Sequence, residues 1–337
     1  MALRFVLRAS AAILLLAVVG VIALRSRIEW RGPTLAEPHV IEVAPGETIL
    51  ALAQRLASAH IVRDEALFAA LASWRGVDRR IRTGEYEFSG GANVVEVLDH
   101  LVSGPQRQRL VLIPEGSNVH EVAFLLETAG LGSAPEIERL ARDPKVAKQL
   151  GVPGPSLEGF LFPDSYAFVR GTAPIEILGH MTQRFREVFT PEMGSAGTAL
   201  GLDTLEAVTL ASLIEEEAAV AAERPMISAV FHNRLARGMK LQSDPTAIYD
   251  LPGRTGTVRA EDLERKSPYN TYWIAGLPPG PISNPGRASL EAAVHPAPGI
   301  QALYFVSRND RTHEFNEDFR EHQRAIGRLR KAARAGS

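Results

Sequence analysis

The chain has 337 residues, with 37 Lys and Arg against 39 Asp and Glu and a net charge of -2. That balance argues against nucleic acid as a main partner, and the length suffices for a buried core and a second domain. Cysteine is absent, which excludes a disulfide, a zinc–thiolate site and a catalytic thiol.

In chain order, Phe5 to Leu24 is apolar apart from Arg8 and Ser10. As a helix it would span roughly 30 Å, about one bilayer core. A cleavable signal peptide has the same outline, but Ile22-Ala23-Leu24-Arg25 lacks a small-x-small cleavage site, which favours an uncleaved signal-anchor. Arg4 and Arg8 lie toward one side of the segment and Arg25 and Arg27 toward the other, so the positive-inside rule is nearly balanced. The expected divisions are a short N-terminus at 1–4, a transmembrane segment at 5–24 and an exposed linker at 25–37 containing Gly32-Pro33-Thr34. From His39 the pattern predicts a strand to Val43, a Pro45-Gly46 turn and helices at Ile49 to Leu56 and Glu65 to Ala72. A strand at Gly84 to Phe88 and a helix at Val94 to Leu101 complete the set. Residues 38–104 together resemble a LysM-type carbohydrate-binding module.

A second strand–turn–helix is predicted from Leu110 to Gly130, with Pro114-Glu115-Gly116 as the turn and Asn118 capping a helix that contains Glu121. It reads as a degenerate repeat of the first. Helices are expected at Ala134 to Ala147 and Ile175 to Phe189. Between them, the aromatics of Leu157-Glu158-Gly159-Phe160-Leu161-Phe162-Pro163-Asp164-Ser165-Tyr166 either stack on sugar rings or fill the core. Glu158 and Asp164 are candidate cleft carboxylates.

Asp203, with Glu206 three residues on, is a capping box for a helix that ends in Glu215, Glu216 and Glu217. Its apolar stripe is Ala207, Leu210, Ala211, Ile214 and Ala218. Glu217 falls on one flank of that arc and Glu215 on the other. Glu216 falls opposite, with Thr209 and Ser212. Periodicity thus demotes Glu216 and leaves Glu215 and Glu217 open. A carboxyl group held against apolar side chains keeps its proton to higher pH, as a general acid requires; a solvated acidic helix end is the plain alternative. After Arg224-Pro225 another helix carries Ile227, Val230, Phe231 and Leu235 inward and stops at Gly238. Asp244-Pro245 reads as an N-cap and first helical position. Gly276 to Gly286 is stiff with proline. Asn284-Pro285 is expected to open a helix at Arg287 to His295. The C-terminal helix from Glu317 ends in Arg328, Arg330, Lys331 and Arg334, cations that complement the helix dipole. No metal-ligand spacing occurs among the nine histidines, and His232 and His313 read as structural or substrate-contacting.

Several of these segments together carry a resemblance. Ala211-Ser212-Leu213-Ile214-Glu215-Glu216-Glu217, Glu223-Arg224-Pro225, Phe231-His232-Asn233-Arg234-Leu235 and Leu241-Gln242-Ser243-Asp244-Pro245-Thr246 resemble the endolytic murein transglycosylases, the YceG-like family. So do Tyr269-Asn270-Thr271-Tyr272, Gly276-Leu277-Pro278-Pro279-Gly280-Pro281-Ile282, Asn284-Pro285-Gly286, Tyr304-Phe305-Val306, His313 and Phe315. The resemblance implies that the last glutamate of the cluster, Glu217, is the catalytic acid. It also implies a cytoplasmic N-terminus and an extracytoplasmic body on the inner membrane. The family often has Thr after that glutamate; this chain has Ala218.

The expected architecture is α+β: an N-terminal transmembrane helix, a small LysM-like module and a mixed α+β catalytic domain at 105–332. The expected reaction cuts the bond from N-acetylmuramic acid to N-acetylglucosamine within nascent peptidoglycan strands. Glu217 protonates the bridging oxygen, then accepts the proton of the C6 hydroxyl as that oxygen closes on C1 to give a 1,6-anhydro end. Closure is intramolecular, so one carboxyl group serves where ordinary glycosidases use two. Gln242, Asn270 and Tyr272 are candidates to orient the sugar, with Asp244, Tyr269, Glu158 and Asp164 as further candidate substrate contacts. No metal or cofactor is expected. The expected partners are glycan strands, the lipid bilayer and membrane-bound peptidoglycan synthases, and the expected role is to limit strand length. Two rivals are a hydrolase in which Asp244 or Asp164 activates water, and a non-catalytic wall-binding scaffold.

Overall fold

A computed structural model describes residues 2–251, 257–308 and 310–335. Arg330 and Arg334 of the basic C-terminal end have side chains outside the described residues. The fold is mixed α+β. The chain divides into two compact units, one of residues up to Arg109 plus Ala167–Gly171, the other of Leu110–Tyr166 plus the residues from Thr172 on.

The first unit begins with helix α1 (Ala2–Ile28), of which Ser10–Ile28 is long and apolar enough to cross a membrane, with mean hydropathy 2.1 and no buried residues. The segment expected as an exposed linker is instead fastened to this unit. The helix runs on to Ile28, which packs on the unit's core. Arg27 pairs with Asp64 at 3.3 Å, Arg31 makes a two-pronged pair with Glu96, and the Gly32 N–H donates to the Ala92 carbonyl. Then come β1 (Thr34–Val43), α2 (Ile49–Ser58), α3 (Glu65–Trp74), β2 (Gly84–Gly90) and α4 (Val94–Ser103). β1 and β2 pair antiparallel, with Ile41 opposite Tyr86 and Val43 opposite Gly84. The alternation expected from His39 to Val43 holds: Ile41 and Val43 point inward to the core that holds Leu56, Phe68, Tyr86 and Leu98. Thr48, Asp64 and Asn93 cap α2, α3 and α4.

β3 (Gln108–Leu112) leads into the second unit and pairs with the later β4 (Ser165–Val169). Between them lie α5 (Val119–Thr128), α6 (Ala134–Ala141) and α7 (Pro144–Gln149). Asn118 caps α5 as expected, and Glu121 completes a capping box with it. The single helix expected from Ala134 to Ala147 is two, because Asp143 caps a new start with Pro144 in its first turn. After β4 come α8 (Pro174–Val188), α9 (Pro191–Ala199), α10 (Thr204–Glu217), α11 (Arg224–Ala236), α12 (Ala260–Leu263), α13 (Arg287–Val294), the hairpin β5 (Tyr304–Ser307) and β6 (His313–Asn316), and α14 (Phe319–Ala335).

α10 is the axis of this unit. It meets α9 at 90° and packs against α9, α11 and α13. Every residue from Ala207 to Ile214 is buried, so the helix has no solvent face along that stretch. Thr209 and Ser212, expected on the polar side, return their hydroxyls to the carbonyls of Leu205 and Thr209. The aromatics of 157–166 take the core alternative, with Phe160 and Phe162 both buried. Gly159 stands at φ +85°, and a Cβ there would collide with the Pro281 ring. This close approach brings the proline-rich loop onto α10, where the Ile282 N–H donates to Ser212 Oγ.

Candidate active site

The three glutamates leave α10 just beyond its buried run and take different partners. Glu215 turns into the protein, its side chain 7% exposed. It accepts from Arg224 Nη2 at 2.8 Å and from the Gly286 N–H at 2.9 Å, while Arg224 Nε donates to Ser289 Oγ. Glu215 therefore ties the end of α10 to the starts of α11 and α13, with its charge already matched. Glu216 lies over Gly116 and is exposed. It lines two cavities of about 670 and 280 Å³, both of which also include Gly116 and Glu121. Together they form a groove on either side of Glu216.

Glu217 is partly buried, and its Oε1 accepts from the Ser243 hydroxyl at 2.6 Å. Burial pushes its pKa up to about 7; Ser243 opposes the rise, and the charges of Asp244 and Glu216 add to it. Burial also lifts Glu216 to about 7, with Glu121 and Glu215 adding to the effect and Ser283 opposing it. Because Glu216 stands in open solvent, water offsets part of its desolvation, so the rise at Glu217 is the firmer of the two. Glu217 does not form a wall of either cavity. It is bonded to Ser243, and the next residue, Asp244, lines the smaller one together with Pro245 and Tyr249.

Ser243 is itself locked. Its N–H donates to Thr271 Oγ1 at 2.9 Å, the Thr271 and Thr246 hydroxyls are 2.8 Å apart, and Thr246 Oγ1 donates to the Ser243 carbonyl at 2.6 Å. Arg234, buried on α11, holds the preceding loop through the carbonyls of Leu303 and Leu241 and through Gln242 Oε1. Gln242 is left-handed at φ +52°, a strained conformation for a side chain other than glycine or asparagine.

The other expected site residues divide. Gln242 and Asp244 are exposed, and Tyr272 is half-buried with its hydroxyl on Asp244 Oδ1; these three gather beside Glu217. Asp244 does not cap a helix as expected. Ser243 takes the N-cap position of a short 3-10 turn, Asp244–Ala247. Asn270 is wholly buried, against its expected role on sugar. Its amide donates to the carbonyls of Leu263 and Arg265, and its Oδ1 accepts from the Tyr272 N–H. Glu158 is also removed from substrate. It is 2% exposed and accepts from the Val119 N–H and the Tyr249 hydroxyl. Burial raises it to about 7, against those hydrogen bonds. Tyr269 packs its ring on Tyr249, 4.7 Å between centroids. Asp164 pairs with Arg184 at 2.8 Å; burial pushes it up, but Arg184 and the Ser165 N–H outweigh this and hold it low. It lines neither cavity of the groove. Asn284 does not cap α13, for which Gly286 holds that position. It bridges Ser117 and Leu161 in the core instead.

His232 Nε2 lies 2.8 Å from the Ala293 carbonyl oxygen, and His313 Nδ1 lies 2.8 Å from Glu223. Among the described residues no group of three His, Asp or Glu side chains is placed to hold a metal ion. A cavity of about 860 Å³ lies at the far end of α10 beside Asp203, Leu205, His232 and Pro278. Asp203 and Glu206 are engaged there in the capping box. Sequence reasoning missed Ser243 and Arg234 as site residues. Ser243 lies 26 positions from Glu217, and no local periodicity joins them.

The YceG-like family model matches residues 41–328. An endolytic murein transglycosylase of Bacillus subtilis (strain 168) is 30% identical over 304 residues, covering 85% of this chain and 83% of that protein. Another of that name, from Streptococcus pneumoniae serotype 2, is 26% identical over 299 residues; the match takes in 79% of this chain and 54% of the relative. A crystal structure of a yceG-like protein from Listeria monocytogenes superposes with a TM-score of 0.59 at 28% identity, covering 86% of this chain and 98% of that one.

Proposed function

The chain belongs to the YceG-like family, and from that premise we propose that it is a peptidoglycan lytic transglycosylase, a lyase that cuts within glycan strands. The observation that carries the reading is Glu217, partly buried at the end of the core helix, tied to Ser243 and protonated up to about pH 7. In this reading the protonated carboxyl group donates to the oxygen leaving muramic acid C1. The carboxylate so formed takes the proton of the C6 hydroxyl as C6–O closes on C1. The C1–O bond to the next sugar breaks, the ring bond forms, and the proton returns to the enzyme, so that water enters neither step. Gln242, Asp244 and Tyr272 are the side chains offered to the sugar beside it.

α1 serves as an uncleaved signal-anchor at the inner membrane, with the N-terminus cytoplasmic and the chain after α1 outside. The composition of Ser10–Ile28 supports this. The succession β1, α2, α3, β2 with antiparallel strands supports reading residues 38–104 as a LysM-like, glycan-gripping module ahead of a catalytic domain at 105–332. So anchored, the enzyme meets strands as synthases extrude them and limits their length.

The test is digestion of purified glycan strands by the wild-type chain and by Glu217→Gln, read by mass spectrometry. Anhydro ends from the wild type, and loss of about 10²- to 10⁴-fold in the variant, are expected for removal of a general acid. Reducing ends would mean that water is the nucleophile, with Asp244, whose charge acts on Glu217, as the carboxylate to activate it. Binding without cleavage would make the chain a wall-binding scaffold.

A further inference from the structure

We propose that Ser243 is the positioning residue of the catalytic carboxyl group: its hydroxyl fixes which oxygen of Glu217 carries the proton and strengthens its hold as that proton leaves. The inference rests on the reading of Glu217 as the acid.

The geometry comes from the hydroxyl ring under the site. The Thr246 hydroxyl donates to the Ser243 carbonyl, and the Ser243 N–H donates to Thr271 Oγ1. The Thr271 hydroxyl is then left to donate to Thr246 Oγ1, 2.8 Å away. Each of these donors is committed, and the Ser243 backbone cannot turn. Its side chain is left to point at Glu217, which among the described residues is the one hydrogen-bond partner of the Ser243 hydroxyl. Ser243 is 1% exposed, so water does not compete for it. The residue that follows the acid, Ala218, has a methyl side chain and cannot supply this bond.

A hydroxyl hydrogen aimed at Oε1 makes that oxygen the acceptor and leaves Oε2 as the oxygen that carries the transferable proton. As Oε2 gives up its proton, the carboxyl group becomes a carboxylate. The hydrogen bond then changes from neutral to charge-assisted, and 2.6 Å suits the charged form. The bond is therefore stronger in the transition state than in the resting acid, which raises kcat without changing substrate binding. Because the bond favours the carboxylate, it also holds the acid's pKa down against burial.

The test uses the full chain with Ser243→Ala, Ser243→Cys and Ser243→Thr on glycan strands, with kcat, KM and pH dependence followed by anhydro-end release. Ser243→Ala should lose roughly ten-fold or more in kcat with KM within about two-fold, and its alkaline limb should move to higher pH. Ser243→Cys, nearly the same size but a weak donor, should fall between the two, and Ser243→Thr should restore both kcat and the limb. An alkaline limb unmoved in Ser243→Ala or Ser243→Cys, whatever happens to kcat, would overturn the proposal; Ser243→Cys decides it if Ser243→Ala fails to fold. Equal activity of Glu217→Gln and wild type would instead remove the reading of Glu217 on which it rests.

Discussion

Three adjacent glutamates reach three different environments because a helix turns each by about 100° from the last. Their substitution should therefore have three different effects. Glu216→Gln should keep most of the wild-type turnover, since that side chain stands in the open groove. Glu215→Ala should destabilise the fold by about 2–4 kcal/mol, because it leaves the buried Arg224 guanidinium with only the longer pair to Glu115, at 3.9 Å, and the Ser289 hydroxyl; urea denaturation of the two variants would show the contrast. If Glu217 is the acid, turnover needs its protonated form, so the rate should be present below about pH 7 and fall as pH rises through it, a limb visible in the kcat profile. Glu158 predicts a stability effect. Its folded pKa of about 7 lies above its ordinary 4.5, so the folded chain holds a proton that the unfolded chain has lost. That contribution is fully present below pH 4.5 and is lost as pH rises to about 7. Glu158→Ala should cost about 2–4 kcal/mol by stranding the Val119 N–H and the Tyr249 hydroxyl, and denaturation across pH should show the slope flattened. The glutamate cluster itself was legible in the sequence, and the resemblance singled out Glu217. Periodicity also set Glu216 apart on the exposed side from Glu215 and Glu217, as the structure has them; it misplaced Thr209 and Ser212, because a stripe argument assumes one solvated face and α10 has none from Ala207 to Ile214.

Elements declared themselves in the sequence wherever their signals are local. The capping boxes Asn118–Glu121 and Asp203–Glu206 stand where the residue types put them. Asp before Pro carries less information than it promises. Asp143-Pro144 starts α7, whereas at Asp244-Pro245 the cap position falls to Ser243 and the aspartate goes to Tyr272. Asn270 was expected on sugar and Asn284 at a helix start, yet both are buried for a related reason: a polar side chain in a loop is as well suited to fastening backbone groups as to meeting a sugar or capping a helix. The loop that carries Ser243 is set by α11 through Arg234. Arg234→Lys keeps the charge but loses the fan of bonds to Leu303, Leu241 and Gln242. It should lower kcat while leaving glycan binding intact, as binding and turnover assays on the same strands would show. At Gly159 an alanine would need both a left-handed backbone and space already taken by Pro281. Gly159→Ala should therefore destabilise by about 3 kcal/mol or more, measurable as a lowered melting temperature.

On the scale of the whole molecule, the apolar N-terminal segment and the α+β character were legible from composition and pattern, since both depend on runs of residues. The join between the segment and the first unit was not. It depends on Ile28, Arg27, Arg31 and Gly32 meeting side chains and carbonyls 37 to 65 positions away, and separations of that size leave no mark in a local pattern. If α1 is the anchor, cell fractionation should find the full chain with the membranes and a chain lacking residues 2–28 in the soluble fraction. The docked join also gives the tether no slack. In an anchored chain a leash would let the first unit wander through the wall; a stiff stalk would confine it to a thin zone against the lipid surface. Ten Gly and Ser residues spliced in after Ile28 would restore the wandering. The anhydro-ended products made in living cells should then spread more widely in length than those of the unaltered chain.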